Sequence, residues 1–375
     1  MKAKPFRHIA IVANTSWYIF NFRSNLIEKI ISNGYHVTLI APFDKYSPKI
    51  KELGCEYINI AIDNNGKNPL NDLKTLFDFY KIYSQIKPSI ILHYTPKPNI
   101  YGTFAARLAR TPVVNNIAGL GNTFINKGVV NFIVRILYKL SQNYSYKVFF
   151  QNPDDLNLFT QSQLVKSEKA DLLPGSGVNI HRFVPQKNRC KHKFRFLLMG
   201  RLLWEKGIKE YVEAACILKK SYHDVEFQLL GFVENNNPRS VSEKQIRAWE
   251  QAGHVKWLGS FDDVRPHIAG ADCVVLPSYR EGTPRSLLEA ASMGKPLITT
   301  DTIGCRQVVD DGVNGLLCKA KDSSDLALVM KKMIQLTDKQ RMGMGKKSRK
   351  KMVQKFDEKI VINKYLETIE EVAGF

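Results

Sequence analysis

Two carboxylates, Glu281 and Glu289, stand in the string EGTPRSLLE, directly after the apolar run CVVLPSYR. Cys273 to Pro277 has the composition of a buried parallel strand, and Ser286 to Met293 that of a helix start. One acid in the connecting loop and one a turn into the helix both face the strand's carboxyl end, where open α/β sheets bind ligands. Pro277, Ser278, Gly282 and Pro284 make that loop tight and backbone-exposing. The alternative is a solvated helix face, on which paired glutamates are common.

A second cluster lies upstream. FRFLLMG (194–200) reads as a strand, and GRLLWEKG (200–207) carries Arg201 and Lys206 across a glycine turn before the helix IKEYVEAACILKK. Two cations beside a helix N-terminus form a diphosphate cradle of fixed charge and backbone N–H groups. Each charge-assisted hydrogen bond would contribute roughly 1.5–3 kcal/mol. Without the glutamates in the same half of the chain, a solvated Arg and Lys would explain the string equally well.

The elements that position these residues form two βαβ series. HIAIVAN, SNLIEKIISNG, HVTLIAP, a helix near 70–86, SIILHYT, a helix near 99–109 and PVVNNIAG alternate through the first half, which predicts a parallel, doubly wound sheet. KVFFQN and DLLPGSGVN close that domain near residue 185, and the basic, Pro-started PQKNRCKHK reads as a linker. FRFLLMG, EFQLLG, VKWLGS, CVVLP, PLITT and GLLC repeat the architecture. The expected division is 1–185, 186–356 and a terminal helix over 357–375.

At 375 residues the chain accommodates two domains, each with its own core, and 44% apolar with 24% charged residues is a globular composition. Six cysteines form no C-x-x-C pair, as expected of buried thiols in a reducing compartment. No signal peptide and no 18-residue uncharged apolar run is present, so a cytoplasmic location without a membrane span is expected. The net charge of +20 implies an anionic partner. No zinc spacing, aromatic–basic motif or helix-turn-helix points to nucleic acid, which leaves an acidic membrane surface or a phosphorylated substrate.

GVVNFIVRILYKLSQNYSYK (128–147) is the candidate membrane segment. Val129, Phe132, Ile133, Ile136, Leu137 and Leu140 recur at helical spacing among Lys127, Arg135, Lys139, Tyr138 and Tyr144, as in a helix lying among headgroups. Each cation there would contribute about 1 kcal/mol on an anionic leaflet. An ordinary core helix is the alternative. The basic cluster Lys346, Lys347, Arg349, Lys350 and Lys351 reads as a solvated helix face.

GRLLWEKG, GSFDDVRPHIAGADCVVLPSYREG, EGTPRSLLEAASMGKPLI and GVNIHRF, in this order and spacing, resemble glycosyltransferase family 4 across almost the whole chain. NFRSNLIEKI, HYTPKPNIYG and AGLGNTF resemble the members that extend undecaprenyl-diphosphate-linked sugars in bacteria. The resemblance implies the GT-B fold: two Rossmann-like parallel-sheet domains facing a deep cleft, with the C-terminal helix crossing back to the first. It implies a retaining transfer of an N-acetylhexosamine or hexose from a UDP-sugar to a polyprenyl-diphosphate-linked saccharide, performed peripherally at the inner face of the cytoplasmic membrane. A soluble sugar or protein acceptor is the alternative.

By the same resemblance, Arg201 and Lys206 bind the diphosphate and stabilise the leaving UDP, Glu289 accepts from the ribose hydroxyls and Glu281 meets the donor sugar. Backbone around Gly282, Thr283, Pro284 and Arg285 reaches phosphates or sugar, and Gly119 and Gly121 approach the donor across the cleft. No D-x-D triplet is present, and two cations can neutralise the diphosphate, so no metal and no other cofactor is expected. Arg23, His93, Lys97 and Asn122 are acceptor-side candidates, the first three each with a structural alternative. Relatives carry a polar residue where this chain has Ala118, so backbone, Asn115, Asn116 or Asn122 must serve instead.

Overall fold

The computed structural model describes residues 7–63, 68–120, 128–186, 193–234 and 237–374. The chain packs as two units: residues up to Ser176 together with Ile360–Phe375, and Gly177–Lys359.

In the first unit seven strands, β1 (His8–Val12), β2 (His36–Ala41), β3 (Glu56–Asn59), β4 (Ile90–Tyr94), β5 (Val113–Ile117), β6 (Lys147–Phe150) and β7 (Ala170–Leu172), form one sheet. Their order is β3-β2-β1-β4-β5-β6-β7, and every pairing is parallel. The central strands are buried on both faces, which is why HIAIV and IILHY read as continuous rather than alternating apolar runs. The helices are α1 (Ser16–Ser32), α2 (Ser47–Lys51), α3 (Pro69–Ile86), α4 (Thr103–Leu108, entered through a π-helical turn at Pro98–Gly102), α5 (Val129–Gln142) and α6 (Pro153–Gln161). Side-chain acceptors start three of them: Thr15 for α1, Asn68 for α3 and Asn152 for α6.

Alternate strand residues face opposite layers. Ile9, Ile11, Ile90, Leu92, Val114 and Phe149 pack with α1 and with the C-terminal helix through Val361, Tyr365 and Ile369. Ile91 and Val113 pack with Phe79, Tyr83 and Ala105 of α3 and α4, and Ile117, Val148 and Phe150 with Tyr138 and Phe159 of α5 and α6.

The second unit holds β8 (Phe194–Met199), β9 (Val225–Leu230), β10 (Lys256–Trp257), β11 (Cys273–Leu276), β12 (Leu297–Thr300) and β13 (Gly315–Cys318), in the parallel order β10-β9-β8-β11-β12-β13. Its helices are α7 (Ile208–Lys219), α8 (Glu243–Gln251), α9 (Arg265–Gly270), α10 (Arg285–Ser292), α11 (Ser323–Gln335) and α12 (Asp338–Lys355). The final helix, α13 (Glu358–Ala373), runs from this unit into the first. Both sheets therefore have the 3-2-1-4-5-6 winding of a Rossmann fold.

Two details correct the sequence reading. Residues 177–185, assigned there to the first domain, belong to the second: Val178, Ile180 and Phe183 lie in a core with Leu197, Leu276, Leu287 and Met352. Arg349 of the basic α12 is not a solvated charge. Its guanidinium donates to the carbonyls of Ile180 (2.8 Å), Phe183 (3.0 Å) and Ser292 (3.0 Å), binding that segment to the unit. Lys351 likewise pairs with Asp310 at 2.8 Å.

Candidate active site

In a doubly wound sheet the chain leaves the two central strands in opposite directions, and the loops beyond their carboxyl ends diverge to leave a crevice. In the second unit those strands are β8 and β11, paired through Cys273–Phe196 and Val274–Leu197. GRLLWEKG follows β8 and PSYREGTP follows β11, so the topology brings both chemically loaded strings to one place.

Two glycines make the contact possible. Gly207, at φ +74°, ends the turn before α7, and a Cβ there would lie 2.1 Å from the carbonyl oxygen of Pro277. Gly304, at φ +82°, would place a Cβ 2.3 Å from the Glu281 carbonyl and 2.6 Å from that of Gly282. Both need a conformation and a closeness that a side chain denies. Backbone hydrogen bonds fix the arrangement: Tyr279 N donates to Glu205 O (2.9 Å) and Glu281 N to Ile303 O (3.0 Å).

Lys206 and Glu281, 75 residues apart, form a direct ion pair through Nζ and Oε1, with side chains only 18% and 13% exposed. Ser278 Oγ donates to the same carboxylate oxygen at 2.7 Å. Arg201 is more open and meets Glu234 Oε1 at 3.2 Å; Asn237 holds the other oxygen of Glu234 at 2.6 Å. Glu289, on α10, accepts from Arg285 Nε at 3.0 Å. Burial raises the Glu289 carboxyl above its ordinary range, offset in part by Arg285 and then Arg182. The arrangement is three basic groups, each held against a carboxylate, where an incoming anion would compete for the cations and hydroxyls for the acids.

Of the residues sequence reasoning selected, the structure brings Lys206 and Glu281 into contact, pairs Arg285 with Glu289 within α10, and pairs Arg201 with Glu234 in the segment after β9. Sequence reasoning missed Ser278 as a partner of Glu281, Glu234 as a partner of Arg201, and the packing role of Gly304. Ser278 was signalled by its place in PSYREG. Nothing local announces Glu234 or Gly304, because their partners are remote in sequence. Among the described residues, no three His, Cys, Asp or Glu side chains converge to hold a metal ion.

The acceptor-side candidates of the first unit fare differently. His93 is wholly buried, with Nδ1 3.0 Å from Asn115 Oδ1 and Nε2 2.9 Å from Tyr83 Oη; burial pushes its pKa down to about 3. It is a neutral core histidine. Lys97 is engaged by Asp72 at 2.5 Å, a carboxylate that Tyr101 also bonds at 2.8 Å. Arg23 lies in α1 and is 2% exposed. Its guanidinium is stacked over Tyr94 at 4.3 Å and donates to Tyr18 Oη at 3.1 Å.

Asn115 and Asn116, the substitutes considered for a polar residue at Ala118, are core residues too. Asn115 Nδ2 donates to Gln142 (2.7 Å) and Thr103 (2.9 Å), and Asn116 Nδ2 to Tyr365 Oη (2.8 Å). Gly119 has φ +136°, while Gly121 and Asn122 lie outside the described residues. At the first unit's own switch point, between β1 and β4, Thr95 adopts φ +77° directly before Pro96, and its hydroxyl accepts from Asn14 N at 3.2 Å. A β-branched residue in that conformation is strained.

Comparison with known proteins adds the lineage. Residues 180–351 match the model for glycosyl transferases group 1, and residues 8–152 the model for glycosyl transferase 4-like domains. A Campylobacter jejuni protein named N,N'-diacetylbacillosaminyl-diphospho-undecaprenol alpha-1,3-N-acetylgalactosaminyltransferase is 28% identical over 97% of this chain and 98% of its own. The UDP-Gal:alpha-D-GlcNAc-diphosphoundecaprenol alpha-1,3-galactosyltransferase of Escherichia coli is 25% identical over 77% of this chain and 76% of its own. The crystal structure of Anabaena HepE in complex with UDP-glucose superposes with a TM-score of 0.77 at 17% identity, over 97% of this chain and 99% of that one. With a group 1 domain on one Rossmann-like sheet and a 4-like domain on the other, the chain belongs to the family 4 glycosyltransferases of the GT-B fold.

Proposed function

We propose that the chain is a retaining transferase that moves an N-acetylhexosamine or hexose from a UDP-sugar to an undecaprenyl-diphosphate-linked saccharide during assembly of a bacterial surface polysaccharide or glycan. The observation that supports the donor half is the Lys206–Glu281 pair, which joins the segments following β8 and β11 at a topological switch point; Arg201 and Glu289 stand in those same two segments. The acceptor half is supported by the relatives above, whose names carry a diphospho-undecaprenol or diphosphoundecaprenol acceptor.

In this reading Lys206 and Arg201 bind the diphosphate and carry the charge that develops on it as the bond from the sugar's anomeric carbon breaks. The acceptor hydroxyl oxygen bonds to the same face of that carbon, and its proton passes to the departing phosphate oxygen. Glu289 accepts from the ribose hydroxyls and Glu281, oriented by Ser278, from the sugar. The protein's contribution is electrostatic and orienting, and two cations supply it without a metal ion. None of the described helices is long and apolar enough to cross a membrane; we place the enzyme peripherally on the inner face of the cytoplasmic membrane, where such an acceptor is available.

The test is UDP release across a panel of UDP-sugars, with and without a lipid-diphosphate-linked sugar, in EDTA. Release that requires one donor and the lipid acceptor is the expected result. Release onto a soluble sugar would move the acceptor assignment, and failure to bind UDP at all would overturn the donor assignment.

A further inference from the structure

The helical layer formed by α3, α4 and α5 carries an apolar surface that the packing of the chain leaves open. On α5, Val129, Phe132, Ile133, Ile136 and Leu140 are all exposed, Val129 by 75% and Phe132 by 65%, while Tyr138 turns inward to the core. Of the expected amphipathic stripe, Leu137 packs against the core and the other five residues face outward. A second stripe was not foreseen: Leu70, Leu73, Phe77 and Tyr80 of α3, spaced at helical intervals, are exposed as well, Leu70 by 74% and Phe77 by 58%. The opposite face of α3, with Thr75, Phe79 and Tyr83, fills the sheet core. Leu108, at the end of the intervening α4, is also 59% exposed. Both α3 and α5 pack against the turn that enters α4, so the stripes share one side of the sheet.

Charge on this side is predominantly positive: α3 carries two acids, Asp72, held by Lys97 and Tyr101, and Asp78. Residues 79–153 contain nine lysines and arginines and no aspartate or glutamate. Lys74 and Lys81 flank the α3 stripe on exposed positions, and Lys139 the α5 stripe, while Arg107 stacks on the ring of Tyr144 at 5.4 Å. Apolar patches of this extent mark interaction surfaces. Apolar ridges edged by cations and tyrosines, with cations in excess over acids, match a bilayer carrying anionic lipids: the side chains enter the acyl boundary and the cations meet headgroups.

We infer that α3 and α5 are two rails of a single bilayer-docking face, with α3 as essential as α5. This deepens the reading of a membrane-borne acceptor by naming the surface that brings the first unit to it. Its test is kept apart from transfer.

The purified full-length chain is sedimented with phosphatidylcholine vesicles with and without phosphatidylglycerol. Binding is expected only with the anionic lipid, and is expected to fall with salt. Leu73→Gln/Phe77→Gln on α3 and Phe132→Gln/Ile133→Gln on α5 are each expected to weaken partitioning by at least about tenfold, from the apolar area withdrawn. UDP affinity, assigned to the second unit, should stay at the wild-type value, and an unchanged unfolding transition of the first unit certifies its fold. Loss on α5 alone would overturn the two-rail inference in favour of one helix. Wild-type binding by both variants, or equal binding to neutral vesicles, would overturn the docking face. Self-association in the ultracentrifuge that both variants abolish, without vesicle binding, would reassign the surface to contacts between copies.

Discussion

Removing Lys206 tests whether its ammonium serves the donor or only the fold. The pair with Glu281 is mostly buried, at 18% and 13% side-chain exposure. Taking one partner from a buried ion pair costs roughly 3–5 kcal/mol. Ser278 remains on the carboxylate at 2.7 Å, which places Lys206→Met at the lower end, about 3 kcal/mol. For a domain of this size that is a fall of about 6–12 °C in the midpoint of the second unit. Glu281→Gln keeps the shape and the Ser278 contact, so its cost should be smaller, and the double variant should recover at least about 2 kcal/mol of coupling. The diphosphate, if Lys206 binds it, loses a charge-assisted hydrogen bond of about 1.5–3 kcal/mol, and UDP affinity drops roughly ten- to hundredfold. The assay is thermal unfolding, resolved into the transitions of the two units, beside calorimetric titration with UDP at a temperature where every variant is folded. A Lys206→Met protein that unfolds early yet binds UDP within about threefold of wild type would refute the donor role and leave Lys206 as the counter-ion of Glu281.

Four further outcomes follow from the geometry. Glu281→Gln should lower the transfer rate at least about tenfold, about 1.4 kcal/mol of transition-state stabilisation, as read by UDP release; unchanged turnover removes Glu281 from the site. Glu289 has a carboxyl raised by burial, so its contribution to stability is present below the ordinary carboxylate range and is lost as pH rises through the raised value. Glu289→Gln should thus gain on wild type in denaturant titrations as pH rises from 4.5, while binding UDP more weakly. His93, held neutral with a pKa of about 3, favours the fold above its unfolded value of 6.5, and acidification below that costs up to about 1.4 kcal/mol per pH unit; His93→Gln should flatten this limb of the acid-unfolding curve. Gly304→Ala, with 2.3 Å to the Glu281 carbonyl, should displace the 281–282 backbone and reduce UDP-sugar use more strongly than Gly312→Ala, where the new Cβ meets nothing within 4 Å.

What the sequence determined by itself was whatever rests on short-range pattern. Short apolar runs such as CVVLP and FRFLLMG, bounded by turn residues, read as buried strands, and their alternation with helices points to parallel sheets. Once the strands are fixed, a loop at a strand's carboxyl end is a candidate site by rule, so the segments carrying Arg201 with Lys206 and Glu281 with Glu289 were legible as candidates. Tertiary structure alone decided what each side chain touches. Lys206 meets Glu281 only because Gly207 lets its turn rest on Pro277, and no local pattern encodes that contact across 75 positions. Arg23, His93 and Lys97 looked like strand-end or surface groups open to an acceptor; Tyr94, Tyr83, Asn115 and Asp72 claim them instead. The two amphipathic helices show the same limit from the other side. Periodicity announced an apolar stripe on α5 and was not read on α3, but whether a stripe faces core or solvent depends on the helices and strands packed beside it, and that was settled by the fold.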